Sequence, residues 1–383
     1  MANNKTFKIK NGLQAGRYLG SNGVETAGTV GYDLANASYD SVSFSVSSQS
    51  TQPGDVVFSS DGTKMYINNQ AGSSSSVEQY NLSTAYDIST ASHSSADSLT
   101  VNTQDTSPFG ITFKPDGTKL YITGSTGDNV YQYTLTTGYD LSSASYDSVS
   151  FSYNSQDTAT TGTLFNSDGT KMYMLGAGTD AIYQYSLSIA YDVSTASYDS
   201  VSFSVSSQST APYGFRRSSD GTKFFVAGNG NVNMYTLSTA YDLSTASYTT
   251  AIDITGQDTL PYGLDFNSDG TKMIVIGITG DNVYQYSTAL LTQTLDLSTG
   301  GTFSFTSSGA TDILFSNPPA SGTAVGFTLE VNNTGGYALT WPSSVKWHLG
   351  TAPTATASKE LYTFVTTDGG TTYYGKLAGS DIA

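Results

Sequence analysis

The sequence predicts an all-β protein: a five-bladed β-propeller closed by an N-terminal strand and followed by a small C-terminal β-sandwich, jelly-roll-like in kind. The tetrapeptide Asp-Gly-Thr-Lys occurs five times, starting at Asp61, Asp116, Asp168, Asp220 and Asp269, and strand-like runs flank each copy. The 28 Tyr among 383 residues also favour strands over helices. Tandem units of about 50 residues with four strands each are typical of propeller blades.

Each unit predicts four strands in the same order. The first strand ends at the Asp-Gly turn, as in 108–113 and 261–266, and the second begins directly after it. An Asp-Gly pair between apolar runs predicts a tight hairpin with positive φ at both central positions. A Gly- and Asn-rich loop leads to the third strand, as in 129–133 or 282–286. A Tyr-Asp-Leu-Ser-like segment then leads to the fourth, in which Val and Phe alternate with Ser.

One fifteen-residue stretch, ASYDSVSFSVSSQST, occurs at 37–51 and again, unchanged, at 196–210. It contains the fourth-strand pattern, which is predicted near 40–46, 96–101, 147–153, 199–205 and 250–254. The first copy precedes every three-strand group, and the last group, ending at Tyr286, has no fourth strand after it. Since unpaired sheet edges are a liability, the N-terminal strand is predicted to complete the last blade and close the ring.

The change in pattern after Tyr286 predicts a separate domain. Strand-like runs continue at 302–306, 312–316, 325–332, 337–341, 361–366 and 372–377, between Gly, Pro, Ser and Asn turns. We therefore expect an N-terminal attachment segment over 1–30, the propeller over 31–290 and the sandwich over 291–383.

Composition excludes several classes of function. Cysteine is absent and only His93 and His348 are present, which excludes thiolate chemistry and disfavours a histidine metal site. The chain has 15 Lys and Arg against 31 Asp and Glu, a net charge of −16, and a negative surface repels nucleic acids and anionic membranes. No long apolar run or signal-peptide pattern occurs. We expect a soluble protein without cofactor, nucleic-acid partner or membrane insertion.

The repeat FKPDGTKLYITGSTGDNVYQYTL, residues 113–135, resembles the YVTN or lactonase-like propeller repeat. The resemblance covers about 250 residues and identifies a blade rather than a chemistry. Enzymes of the lactonase-like group place acidic and histidine side chains in the central channel, whereas no repeat-borne histidine falls on an innermost strand here. The sequence also lacks a Gly-x-Ser-x-Gly elbow, a phosphate loop and a His-Glu-x-x-His motif. We expect no enzyme, with a glycan-active enzyme as the distant alternative.

The C-terminal stretches NPPASGTAVGFTLEV, WPSSVKW and TTDGGTTYYGKLAGSDIA resemble the C-terminal module of virion structural and tail-fibre proteins of tailed phages, notably those infecting marine bacteria. The opening KTFKIKNGLQAGRYL is similar to the N-terminal segment of such proteins. The resemblance implies a virion protein, assembled in the host cytoplasm with other virion proteins, and a homo-oligomer, by analogy a trimer. The propeller would serve adhesion to host-surface glycans or spacing in a tail fibre or other appendage. The alternative is a capsid decoration or head-fibre protein.

Three tyrosines are candidate ligand-binding residues. Tyr131, Tyr183 and Tyr284 each share a strand face with a second tyrosine two residues on. Such rings can stack on sugars, but packing between blades would use them equally well, and packing is the favoured interpretation.

Arg217 is the fourth candidate, because it breaks a column of phenylalanines. The equivalent residues in the other units are Phe58, Phe113, Phe165 and Phe266. A lone buried guanidinium is costly, so Arg217 is expected to reach solvent in the axial channel or to find a carboxylate. The functional interpretation is a contact to an anion or a glycan carboxylate inside the channel; a local register shift or a structural ion pair is the favoured interpretation.

Acidic turns are the last candidates. The Asp-Gly-Thr-Lys repeat and the loops 127–129 and 280–282 could bind a cation, but their spacing lacks the alternating acids of a calcium loop. Turn formation accounts for their composition, and we expect no metal.

Overall fold

A computed structural model describes residues 31–288, 291–307 and 309–382, without the side chains of 94–97. The predicted attachment segment, 1–30, lies outside the described residues. The chain divides into two compact units, one spanning Ala37–Thr288 and the other containing the C-terminal residues from Ala289 on.

Five four-stranded antiparallel sheets form the first unit. The first strand of the described residues is β1 (Ser38–Ser45), which belongs to the last sheet. Blade 1 contains β2 (Pro53–Phe58), β3 (Lys64–Asn69), β4 (Ser76–Leu82) and β5 (Ala91–Thr100). Blade 2 contains β6 (Pro108–Phe113), β7 (Lys119–Gly124), β8 (Asn129–Leu135) and β9 (Ala144–Ser152). Blade 3 contains β10 (Thr160–Phe165), β11 (Lys171–Gly176), β12 (Ala181–Leu187) and β13 (Ala196–Ser204).

The remaining two blades complete the ring. Blade 4 contains β14 (Pro212–Arg217), β15 (Lys223–Gly228), β16 (Asn231–Leu237) and β17 (Ala246–Asp253). Blade 5 contains β18 (Pro261–Phe266), β19 (Lys272–Gly277) and β20 (Asn282–Ser287), and its fourth strand is β1. The register between β1 and β20 runs from Ser38 opposite Ser287 to Ser45 opposite Asn282. The predicted five-bladed propeller with an N-terminal closing strand is therefore confirmed.

Asp40 fastens the closing strand. Its carboxylate accepts hydrogen bonds from the backbone N–H of Ser287 at 3.0 Å, from the Ser287 hydroxyl at 2.7 Å and from Gln285 at 2.9 Å. The equivalent Asp199, in the second copy of the fifteen-residue stretch, accepts a hydrogen bond from Gln184 at 2.8 Å. Both copies thus use the same aspartate to tie the fourth strand to the third.

The fourth strands begin two to five residues earlier than predicted, because each continues across a bulge. In blade 2, Gln132 pairs with Val149 but Tyr133 pairs with Tyr146, so the intervening residues bulge out. Ser148 in the bulge has a φ of 58°. The bulge interrupts the apolar–polar alternation that predicts the fourth strand. The residues before the bulge therefore read as part of the loop between the third and fourth strands.

The Asp-Gly turns differ from the prediction at one position. Only the glycine has a positive φ, 72° at Gly62, so the expectation of positive φ at both central residues was wrong. Asp61 instead accepts hydrogen bonds from the N–H and hydroxyl of Thr63, at 3.0 and 2.8 Å. The ring of Tyr86 covers the turn, and a Cβ on Gly62 would lie 2.2 Å from it. This packing, as well as backbone conformation, requires glycine.

Short 3-10 helices precede the fourth strands of blades 1 to 4 and contact the blade before. They span Ile88–Thr90, Leu141–Ser143, Val193–Thr195 and Leu243–Thr245, and a further one, Gly72–Ser74, precedes β4. Asp192 caps one by accepting from the N–H of Ser194 at 3.0 Å. The side chain of Gln132, from the blade before, accepts from the N–H of Val193 at 3.2 Å. Adjacent blades are therefore held by hydrogen bonds as well as by apolar contact.

The second unit is a two-layer β-sandwich. One sheet contains β21 (Leu291–Asp296), β23 (Thr311–Ser316) and β25 (Leu339–Thr340). The other contains, in spatial order, β22 (Thr302–Thr306), β24 (Val325–Asn332), β27 (Lys359–Thr366), β28 (Tyr373–Gly379) and β26 (Val345–Trp347). From β21 to β26 the chain alternates between the sheets, which makes the neighbouring pairs β21–β23, β22–β24 and β23–β25 parallel. The core contains Leu295, Ile313, Leu329, Tyr362 and Phe364.

Candidate functional site

The first strand of each blade lines the propeller axis. These inner strands, β2, β6, β10, β14 and β18, contact one another around the ring. Their third residue is glycine in four blades and Asp55 in blade 1. A Cβ on Gly263 would lie 2.5 Å from the Cα of Asp55, and one on Gly110 would lie 2.8 Å from the carbonyl oxygen of Thr161. Glycine at this column lets the strands approach closely, so the axis is narrow.

A buried ion cluster fills the narrow part of the axis. The Arg216 guanidinium, from blade 4, lies 3.0 Å from the Asp55 carboxylate of blade 1 and 3.4 Å from the Asp265 carboxylate of blade 5. It also donates to the carbonyl oxygen of Val56 at 2.8 Å and to that of Ile111, in blade 2, at 3.4 Å. Arg216 is 6% exposed and Asp55 is 3% exposed. One guanidinium therefore joins four of the five blades.

Both carboxylates of the cluster are further engaged by backbone. Asp55 accepts from the N–H of Ile111 at 3.0 Å and of Val56 at 2.9 Å. Asp265 accepts from the N–H of Phe58 at 2.8 Å. Burial raises the pKa of Asp55 to about 6, against the attraction of Arg216, which lowers it. Burial likewise raises the pKa of Asp265 despite the same guanidinium.

Three aromatic rings converge where the inner strands begin. Phe109 lies in blade 2, Tyr213 in blade 4 and Tyr262 in blade 5, each at the second position of its inner strand. Their ring centroids are 4.3 Å apart for the two tyrosines, and 5.7 and 5.4 Å from Phe109 to Tyr213 and Tyr262. Blade 2 is not a neighbour of blades 4 and 5, so these rings meet across the axis. All three are partly exposed.

Polar groups lie beside this aromatic cluster of Phe109, Tyr213 and Tyr262. Blade 1 has Gly54 at the same column, and a Cβ there would lie 2.4 Å from the amide nitrogen of Gln70. Asn68 donates to the carbonyl oxygen of Phe109 at 2.8 Å. Among the described atoms, Asn68 Oδ1 and Gln70 Nε2 are buried without a hydrogen-bond partner. The mouth of the axis therefore combines aromatic faces with buried amide groups, and Tyr213 lies about 10 Å along β14 from Arg216.

Arg217 does not reach the axis, because side chains alternate along the strand and its neighbour Arg216 does. Its guanidinium donates to the carbonyl oxygen of Phe165 at 2.6 Å and to that of Ser218 at 2.9 Å. It lies over the ring of Tyr241, 5.5 Å from the centroid. In blades 1 to 3 a phenylalanine packs on the equivalent tyrosine, as Phe165 does on Tyr191 at 5.6 Å. Arg217 thus replaces an aromatic contact within its own blade, and its bond to Phe165 links it to blade 3.

Replacing Arg217 with Phe is expected to leave the free energy of unfolding within about 1 kcal/mol of the wild type, because a ring restores the contact that the guanidinium makes with Tyr241. Urea unfolding measures this. Ligand binding is expected to remain unchanged. Loss of binding at unchanged stability would instead support the hypothesis that Arg217 contacts a ligand.

The three candidate tyrosines lie on third strands, away from the axis. Tyr131, Tyr183 and Tyr284 approach tyrosines of the fourth strands, with ring centroids 6.3, 6.0 and 6.2 Å from Tyr146, Tyr198 and Tyr39. Tyr131 and Tyr284 are each 8% exposed, and the hydroxyls of Tyr183 and Thr179 are 2.8 Å apart. These are packing contacts within blades, and they bring none of the candidates together with Arg217.

The acidic loops were the remaining candidates. Asp128 and Asp281 have positive φ, and their Oδ1 atoms are buried without a hydrogen-bond partner among the described atoms. Burial raises the pKa of Asp128, and the nearby carboxylates of Asp157 and Asp105 raise it further. Within 31–288, 291–307 and 309–382, no three Asp, Glu, His or Cys side chains form a group that could hold a metal ion. In the same residues, no helix has the length and apolar character to cross a membrane.

The residues at the axis were missed by sequence reasoning, although the aligned repeats carry a signal for them. Asp55 interrupts a column of glycines, and Arg216 and Asp265 interrupt a column of otherwise uncharged residues. When a charged residue occupies an inner-strand position in only some of the repeats, it is a candidate for an ion pair with a charged residue of another repeat. The aromatic cluster has a similar signal in the bulky rings that precede the glycine in blades 2, 4 and 5.

Comparison with known proteins yields similarity of fold only. No family model matches the chain, and no curated protein matches its sequence. A functionally unknown protein from Desulfotomaculum acetoxidans is 13% identical with a TM-score of 0.37, over 59% of this chain and 62% of that one. A candidate 6-phosphogluconolactonase from Bacteroides fragilis is 12% identical with a TM-score of 0.43, over 62% and 82% of the two chains. The β-propeller domain of Cps50 (Swd1) from Myceliophteria thermophila is 8% identical with a TM-score of 0.39, over 66% and 99%.

Proposed function

We propose that this chain is a structural and adhesive component of a tailed-phage virion, whose propeller presents a binding surface for host glycans. The virion assignment rests on the C-terminal sequence resemblance. The adhesive assignment rests on one structural observation: the partly exposed cluster of Phe109, Tyr213 and Tyr262 at the mouth of an axis that Arg216 fills.

The chemistry of this mouth suits recognition of a neutral sugar. Aromatic faces stack on the C–H-rich faces of pyranose rings, and polar groups at the rim of the rings bond sugar hydroxyls. The two tyrosine hydroxyls supply further donors and acceptors. A ligand on this cluster would bind at the surface, because the axis behind it narrows to the Arg216 cluster.

The function is proposed to be non-catalytic. Asp55 and Asp265 are the carboxylates of the ion cluster at the axis, and each is bonded to Arg216 and to backbone N–H. A general acid or base needs reach to a substrate proton, and these groups point into the protein. The proposal therefore separates this chain from the candidate lactonase that shares its fold.

Replacing Tyr213 and Tyr262 together with Ala is expected to weaken binding to a neutral glycan by about tenfold or more, since each stacked ring contributes roughly 1 kcal/mol. A glycan array of bacterial surface oligosaccharides identifies the ligand, and calorimetry on the best hit measures the change. The matched control is Tyr248→Ala, which removes a tyrosine that is 46% exposed on β17. Equal binding by the double variant and the wild type, or equal loss in the control, would contradict the proposal.

Location in the particle separates this proposal from its alternative, a capsid decoration or head-fibre protein. Gold-labelled antibody is expected on the tail or another appendage of the virion. Uniform labelling of the capsid would favour decoration instead. The proposed homo-oligomer, a trimer by analogy, is checked by light scattering across concentrations, and a monomer throughout would contradict it.

A further inference from the structure

The C-terminal sandwich carries an open groove of about 500 Å³ on its five-stranded sheet. Its lining includes Lys346, Trp347, His348, Val365, Tyr374 and Lys376. A groove of this size is in the range of small-ligand sites, which span roughly 300–1,000 Å³. It lies in a different unit from the aromatic cluster of the propeller.

The register of three strands explains how the groove residues meet. Tyr374 on β28 lies opposite Lys346 on β26 and opposite Val365 on β27. Lys376, two residues along the same face of β28, lies opposite Thr363. Across the three strands, the outer face therefore has Lys346, Tyr374 and Val365 side by side. Lys376 lies next to the Tyr374 ring, one position further along that face of β28.

The outer face of this sheet exposes large apolar and aromatic side chains to solvent, where small polar residues would be ordinary. Tyr374 is 62% exposed and Val365 is 44% exposed, and Leu349, which follows the groove residue His348, is 83% exposed. A large ring in the middle of a solvent-facing row has no packing role of the kind that buries Tyr362 and Phe364 on the opposite face. Its exposure is consistent with contact to a ligand.

The charge of the groove is opposite to that of the chain. The chain has a net charge of −16, yet the groove has two lysines and a histidine and no acidic side chain among its lining residues. Other lysines are paired: Lys119 with Asp147 at 3.1 Å, and Lys359 with Glu330 at 3.5 Å. Among the described residues, neither Lys346 nor Lys376 has a carboxylate within 4.0 Å.

We propose that this groove binds an acidic polysaccharide, a chain of sugar rings carrying carboxylates. The ring of Tyr374 offers a face for one pyranose, and Lys346 beside it and Lys376 in the next row meet the carboxylates of that sugar and of its neighbour. Single-stranded nucleic acid also uses aromatic and basic groups, but it needs a charged track along many phosphates. Two lysines on an acidic protein favour the less densely charged uronic-acid chain. The inference is independent of the proposed neutral-glycan site.

The test uses the full chain and oligogalacturonate hexamers, with maltohexaose as the uncharged probe and a twelve-residue oligo-dT as the nucleic-acid probe. Calorimetry is expected to detect oligogalacturonate binding that weakens as salt is raised, because exposed charges are screened beyond about 10 Å at 0.1 M ionic strength. Maltohexaose is expected to bind at least about tenfold more weakly at this groove. Tighter binding of oligo-dT than of oligogalacturonate would overturn the proposal.

The variant Lys346→Gln with Lys376→Gln is expected to lose about tenfold or more in affinity for oligogalacturonate, and Tyr374→Ala a similar amount. The control is Lys114→Gln with Lys171→Gln, which removes the same charge from lysines paired with Asp116 and Asp199, and which is expected to retain binding. Equal loss in both double variants would reveal a nonspecific charge effect and overturn the site. Binding of oligogalacturonate that is lost only on replacing Tyr213 and Tyr262 would overturn it too, by placing the ligand on the propeller.

Discussion

Replacing Arg216 with Met is expected to lower the free energy of unfolding of the propeller by about 3–5 kcal/mol at pH 8, the range seen when one partner of a buried ion pair is removed. Met fills part of the volume but leaves the Asp55 and Asp265 carboxylates facing one another without a cation. It also removes the donors to the carbonyl oxygens of Val56 and Ile111. Urea unfolding followed by tyrosine fluorescence measures the change.

The pH dependence distinguishes lost charge from lost packing. In the wild type, the pKa of Asp55 is raised from 3.8 to about 6. Between those values the folded protein retains a proton that the unfolded chain has released, so this group lowers the unfolding free energy as pH rises from about 4 to 6. Without Arg216 the two carboxylates lose the attraction that lowers their pKa values. The pH range in which the folded protein retains the extra proton therefore extends to higher pH. The destabilisation is therefore expected to be smaller at pH 5 than at pH 8.

The neighbouring arginine supplies the control. Arg217→Met changes the same residue type one position along the same strand, where the guanidinium contacts Tyr241 and backbone carbonyls rather than carboxylates. Its effect on stability is expected to be smaller and nearly independent of pH. An equal destabilisation by Arg216→Met at pH 5 and pH 8 would show that packing, not charge, accounts for the role of Arg216.

Removing the closing strand is expected to abolish the folded ring. A chain that begins at Val46 lacks β1, which leaves the β20 edge unpaired and uncovers the buried side chains of Val283 and Tyr286. Unpaired edges of this kind associate with other chains. Size-exclusion chromatography and a thermal scan are expected to show aggregation and loss of the cooperative transition.

A chain that begins at Ala37 retains β1 and is the matched control, expected to unfold like the propeller of the full protein. Adding the nonapeptide of residues 37–45 to the shorter chain is expected to restore a monodisperse, cooperatively folding species. The same peptide with Ser in place of Val42 and Phe44 is expected to fail. A stable monomer from Val46 onward, without peptide, would show that three strands suffice for blade 5.

The architecture was predictable because tandem repetition reports it directly. Five Asp-Gly turns counted the blades, and the unmatched copy at 37–51 indicated the closing strand. The axis was not predictable in the same way. Both faces of an inner strand are buried, since one set of alternating side chains packs against the next blade and the other points toward the axis. The alternation of apolar residues therefore does not show which set faces the axis. The column of phenylalanines predicts that Arg217 reaches the channel or a carboxylate, whereas in the structure Arg216 does both.

The sandwich shows a second limit of sequence reasoning. Strands β22 and β24 have the predicted bounds, whereas β21 and β26 were missed. Strand β26 has only three residues. Strand β21 pairs in parallel with β23, and the chain between them passes through β22 in the opposite sheet. Neither β21 nor β26 therefore shows a clear alternating pattern next to a turn. The groove was unpredictable for the same reason, because Lys346 and Tyr374 meet only through the pairing of the unpredicted β26 with β28.

Closure by the first strand also determines how mechanical load crosses the propeller. The chain enters blade 5 at Ser38 and leaves it at Ser287, and these residues are paired. Tension applied at the two ends therefore acts first on this pair and peels β1 from β20, while blades 1 to 4 carry none of it. Ser287 itself donates two hydrogen bonds to Asp40, which lies two residues from Ser38. The strength of the whole ring under pulling is thus set by one strand pair and the aspartate that fastens it.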